Sequence, residues 1–141
     1  MNRAIRSVTI LGTAVLAFGM MTALIADGGT STRLRARLTG QAIQGVMPEG
    51  NADFRNDSGR MRLQVEVEHV NLPANTMLTV LLQSGANAPQ QVGQIKLSST
   101  GFGELDLDSQ NGASVPAVQN GDVASVTAGG VAILAGVFGP K

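Results

Sequence analysis

Between Arg60 and Glu68 every odd position is apolar and every even position is charged or carries an amide: Met61, Leu63, Val65 and Val67 alternate with Arg60, Arg62, Gln64, Glu66 and Glu68. Successive side chains of an extended chain point to opposite faces, so this run predicts a half-buried strand with one face on a core and one in water. Arg33–Leu38 and Gly103–Asp108 repeat the alternation. Met77–Leu82 and Val131–Phe138 are apolar at both parities and read as central strands. Gly50–Arg55, Gln91–Leu97 and Asp122–Thr127 complete the set.

Turn residues separate these runs. Asn56–Gly59, Ser98–Gly101 and Ala128–Gly130 are short enough to close hairpins, and Ser84–Pro89 forms a longer loop. Gln110–Gly121 holds Gly112, Pro116 and Gly121 and is predicted to cross between sheets. A faint repeat at a spacing of 43 relates Gly50 to Gly93 and Pro73 to Pro116, which suggests two similar hairpin units packed face to face. Short strands at close spacing without an amphipathic helix predict an all-β fold. The expected form is an antiparallel β-sandwich of about eight short strands after an N-terminal signal or anchor helix.

That N-terminal segment has basic Arg3 and Arg6, then an uncharged apolar run from Val8 to Ala26. A positive start before an apolar run directs export. The run is long for a signal peptide and just long enough to span a bilayer, so cleavage after Ala26 competes with retention as a single anchor. The predicted organisation is 1–26 as signal peptide or membrane anchor, 27–32 as flexible junction and 33–141 as β-sandwich domain. An exported chain of this kind would be periplasmic, cell-envelope or secreted. The chain has no cysteine, which excludes a lipid-anchored lipoprotein and means the domain folds without disulfides.

Beyond Ala26, eight basic residues face ten acidic ones, a net charge of −2. No basic footprint for nucleic acid is present. Trp and Tyr are absent, and Phe54, Phe102 and Phe138 are the only aromatic residues of this part. Binding surfaces for sugars or single strands rely on aromatic platforms, so all three phenylalanines are assigned to the core.

Candidate chemistry is sparse. His69 is the single histidine and follows the alternating strand, near a core edge or strand end, with no evident nucleophile or orienting partner. Asp106–Gly112 is the best metal candidate, because calcium takes clustered oxygen ligands on a tight turn. Gln110 and Asn111 fall where a helix-flanked calcium loop needs Asp or Asn and then glycine, and no late Glu follows, so only a looser site from Asp108, Asn111 and Asp122 remains. Glu66 and Glu68, and likewise Glu104, Asp106 and Asp108, share strand faces expected to be solvated, which argues against paired-carboxylate catalysis. No phosphate loop or nucleophile elbow is present. The row Arg33, Arg35 and Arg37 is expected to share an outer face with at least one acidic row.

The stretch Leu38-Thr39-Gly40…Gly50-Asn51-Ala52-Asp53-Phe54, followed by an alternating strand and the Leu72-Pro73 turn, resembles the opening of the chordin-type extracellular β module. That module carries a His-x-His signature after its middle strand; the corresponding Met77–Gln83 has no histidine. Gly103–Ser109 with Val115–Val118 is similar to a pattern of small exported bacterial β proteins. Both resemblances imply an extracellular β domain and no established activity. Sequence and resemblance together predict a non-enzymatic exported structural or interaction module. The alternative is a small ligand- or calcium-binding β domain. No cofactor other than calcium is implied. Partners would be another protein or a second copy, not nucleic acid, with membrane contact only through residues 8–26 if uncleaved.

Overall fold

The computed structural model describes residues 29–141. The expected signal or anchor segment lies outside the described residues, among which no helix is long and apolar enough to cross a membrane. The domain is all-β and antiparallel. Its strands are β1 (Ser31–Thr39), β2 (Glu49–Asp57), β3 (Arg60–Glu68), β4 (Met77–Gln83), β5 (Gln90–Lys96), β6 (Gly103–Asp108), β7 (Val123–Ala128), β8 (Val131–Val137) and β9 (Gly139–Pro140). A single 3-10 turn, Ser109–Asn111, follows β6.

All nine strands belong to one sheet in the order β5-β4-β7-β8-β1-β2-β3-β6, with β9 pairing β1 beside this path. The sheet consists of two four-stranded halves, β5-β4-β7-β8 and β1-β2-β3-β6, rolled into a nearly closed barrel. They join through a single ladder pair, Thr39 with Ala135. Glycine allows this join. A Cβ at Gly136 would lie 2.1 Å from the Arg37 carbonyl oxygen, and one at Gly40 would lie 1.8 Å from that of Ile133. The anticipated two layers therefore exist as continuous halves of one rolled sheet rather than as separate sheets.

At the opposite seam, β5 and β6 pack without a ladder. Side chains fill this seam: Leu105 occupies the space a Cβ at Gly93 would need, and Ile95 the space at Gly103. The sequence expectation of a hairpin at Ser98–Gly101 is corrected here, because β5 pairs β4 and β6 pairs β3. Gly101, at φ 74°, lies against the Val70 carbonyl. Ser98 Oγ accepts from the amides of Thr100 and Phe102, and this turn carries the chain from one half to the other. Asn56–Gly59 and Ala128–Gly130 do close hairpins, as does the longer Ser84–Pro89 loop.

One core fills the roll. In the β1-β2-β3-β6 half it forms cross-strand rows: Leu34, Phe54, Leu63 and Leu107; Ala36, Ala52, Val65 and Leu105; Leu38, Gly50, Val67 and Gly103. Each row follows from the alternation, since residues opposite one another on paired strands share a face. The other half supplies Leu78, Val80, Leu82, Ile95, Ala124, Val126 and Leu134. Phe54 and Phe138 are buried, but Phe102 is 38% exposed, which corrects its assignment to the core. The parity of β6 turns Gly103 inward and Phe102 outward.

Candidate functional site

Strand parity that buries Leu34, Phe54 and Leu63 pushes the intervening residues outward. On the β1-β2-β3-β6 half nearly every such position is charged or amide-bearing. The rows read Arg33, Arg55, Arg62 and Asp108; Arg35, Asp53, Gln64 and Asp106; Arg37, Asn51, Glu66 and Glu104; and Thr39, Glu49 and Glu68. The basic row of β1 and both acidic rows therefore share one outer face. Among the described residues, every Asp, Glu, Lys and Arg except Lys96 and Asp122 belongs to this half, its hairpin turn or the adjoining C-terminus. The outer positions of the other half hold Thr79, Leu81, Gln94, Ser125, Ala135 and Val137 instead.

The charges pair across strands. Arg35 grips Asp53 through Nε at 2.9 Å and Nη2 at 3.0 Å, and Lys141 Nζ reaches the same carboxylate at 2.9 Å. Arg62 Nε donates to Asp106 at 3.0 Å and Arg60 Nη2 to Asp108 at 2.7 Å, while Arg55 pairs with Asp57 along its own strand. Partial burial pushes the Asp53 carboxyl up, but Arg35 and Lys141 together outweigh it and hold the group below the usual carboxylate range. Asp108 is held low by Arg60 and by the Gln110 amide, against a smaller opposing effect of burial.

The face is polarised along the strands. Arg33, Arg55, Arg60, Arg62 and Lys141 gather at one end with Asp57 and Asp108 among them, and Glu49, Glu66, Glu68 and Glu104 at the other with Arg37. At the basic end a depression of about 210 Å³ is lined by Arg33, Asp53, Phe54, Arg55, Arg62, Gln64 and Lys141. A second, of about 110 Å³, lies among Arg55, Asp57, Arg60 and Arg62. Two wider depressions, of about 440 and 560 Å³, contain no titratable side chain.

His69 lies just past the end of β3, as its sequence position suggested. Its side chain is exposed and its backbone is left-handed, at φ 56°. Nδ1 is 3.3 Å from Glu49 Oε1. Glu49, Glu68 and His69 bring donor atoms within 4.8 Å of one another, the one such group of three among the described residues. Two carboxylates and an imidazole are a donor set suited to a divalent transition metal. The sequence offers His69 no second histidine and no cysteine, and the two carboxylates that meet it come from β2 and β3. The signal was available, because a hairpin closed at Asn56–Gly59 places Glu49 opposite Glu68.

Of the residues assigned to a calcium site, Asp108 ends β6 and is buried. Its Oδ2 accepts from Arg60, and its Oδ1 accepts from the Gln110 amide at 2.9 Å, capping the 3-10 turn. Asn111 is exposed on that turn. Asp122, also buried, precedes β7 in the other half and accepts from the Gln119 amide at 2.8 Å. Both carboxylates thus close local turns. No protein-family model matches this chain in sequence, and no curated protein matches it.

Proposed function

We propose that this chain is a non-enzymatic, exported structural or interaction module of the cell envelope or extracellular space, and that its working surface is the charged outer face of β1-β2-β3-β6. The observation that carries this reading is the segregation of charge. A rolled sheet needs polar outer positions for solubility, but solubility does not require nearly all its charges on one half. Such a face steers and orients a charged partner. The apolar run Val8–Ala26 behind Arg3 and Arg6 supports export, and the likeness to extracellular β modules points the same way.

Fractionation of cells expressing the full chain tests the reading. The expected result is protein in the periplasm, envelope or medium, with a mature N-terminus near Asp27. An uncut chain in the membrane would make 8–26 an anchor with the same domain outside. Full-length chain soluble in the cytoplasm would overturn the proposal.

A further inference from the structure

Arg33, Arg55 and Arg62 stand directly opposite one another on three neighbouring strands. Like charges at opposed positions of an antiparallel pair are destabilising, so this row costs the sheet stability unless an anion offsets it. The neighbouring carboxylates offset it only in part. Arg55 has Asp57, Arg62 has Asp106 and stands opposite Asp108, which Arg60 holds, and Lys141 shares Asp53 with Arg35. Arg33 makes no side-chain hydrogen bond or ion pair with any described residue.

Donors remain even on the paired members. A guanidinium carries five N–H groups, and Arg62 spends its Nε and Nη2 groups on Asp106. The C-terminal residue is fixed beside the row, because the Lys141 amide donates to the Arg33 carbonyl at 3.2 Å. The depression of about 210 Å³ lies where Arg33, Arg55, Arg62 and Lys141 meet.

We propose that this depression is a binding site for the tetrahedral oxyanion of a phosphate group. The inference rests on the charged face being the working surface and names what that face takes. A carboxylate presents two oxygens in one plane, which a single arginine satisfies. A phosphate presents oxygens in three directions, which suits donors arriving from three strands and from Lys141. The acidic residues do not cancel this: Asp53, Asp57, Asp106 and Asp108 near the depression are each engaged by an arginine or by Lys141, and Glu49, Glu66, Glu68 and Glu104 sit at the far end of the face, where screening shortens their reach. The same chemistry could be presented by a soluble phosphate ester or by an anionic lipid headgroup.

The test uses protein purified from the expressed full-length chain. Thermal unfolding is followed with sodium phosphate or tripolyphosphate against sodium chloride at matched ionic strength, and affinity is read by calorimetry. Phosphate probes are expected to raise the unfolding temperature beyond chloride, as a ligand of the native state must. Arg33→Gln is expected to leave unliganded stability unchanged or slightly higher, since it removes repulsion and breaks no pair, while weakening phosphate affinity at least tenfold. Arg37→Gln, on the same strand and face but at the acidic end, is expected to change the affinity little.

Equal effects of phosphate and chloride would overturn the site. So would equal weakening by Arg33→Gln and Arg37→Gln, which would reveal diffuse charge rather than a built row. Co-sedimentation with phosphatidic acid vesicles, absent with phosphatidylcholine and lost in Arg33→Gln, would assign the phosphate to a lipid headgroup; phosphate binding without co-sedimentation would assign it to a soluble ester. Failure to bind phosphate would leave the fractionation result standing, so the two readings are separable.

Discussion

The join between the two halves of the sheet can be broken by one methyl group. At Gly136 an added Cβ would lie 2.1 Å from the Arg37 carbonyl oxygen and 2.8 Å from its carbon, where ordinary contact begins near 3.4 Å. The obstacle is backbone, so no side-chain rotation relieves it. Strands β1 and β8 would have to separate by about 1.3 Å to bring the 2.1 Å contact out to 3.4 Å. Their only ladder pair, Thr39 with Ala135, lies next to this contact. Overpacking costs about 1–3 kcal/mol and each lost hydrogen bond about 0.5–1.5 kcal/mol, so Gly136→Ala should destabilise the domain by about 2–4 kcal/mol. For a domain of this size that lowers the unfolding temperature by on the order of 10 °C. Gly139→Ala is the control, because a Cβ there meets nothing within 4 Å and the backbone is not left-handed. It should be neutral or stabilising by about 0.4–1 kcal/mol. Thermal or urea unfolding compares the two, and equal behaviour of the variants would refute the glycine-dependent join.

Leu63→Ala removes a fully buried side chain between Phe54 and Leu107 and should cost about 2–4 kcal/mol by urea unfolding. Phe102→Gln, at an exposed position, should stay within about 0.5 kcal/mol of the parent by the same measure. Asp53 and Asp108 titrate below the usual range, so their contribution to stability is present above the unfolded Asp value of about 3.9 and is lost as pH falls through their lower folded values. Urea midpoints should therefore fall as the solution is acidified below about pH 4, and Asp108→Asn should flatten part of that fall.

Strand parity was legible because alternation is a local property. Arg60–Glu68 and Gly103–Asp108 occupy the residues their patterns delimit, and Leu63, Val65 and Val67 face the core. The crossing at Ser98–Gly101 was not legible, because its composition suits a hairpin. The strand pairings, and the contact of Gly101 with Val70 thirty-one residues away in sequence, show that the chain leaves its neighbour there. The closeness of the two halves was hidden for a similar reason: Gly40, Gly93, Gly103 and Gly136 read as ordinary turn or strand-weakening residues until the backbone or side chain opposite each is known. Charge rows along single strands could be read directly. The transverse row of Arg33, Arg55 and Arg62 required strand order, which one-dimensional spacing does not encode for β1 and β2 across their long connection.

The route of the chain through the sheet bears on how it can come apart. Strands β1, β2 and β3 enter one half, β4 and β5 the other, β6 returns to the first, and β7 and β8 go back to the second. No contiguous stretch of sequence encodes either half. A cut in the link 69–76 would leave one fragment missing the strand that covers β3 and another holding β6 with nothing to pair against. Neither piece should hold native structure alone, whereas the two mixed together could re-form the sheet by complementation. In the intact chain the two halves bury one shared core, so opening either half exposes apolar side chains of the other.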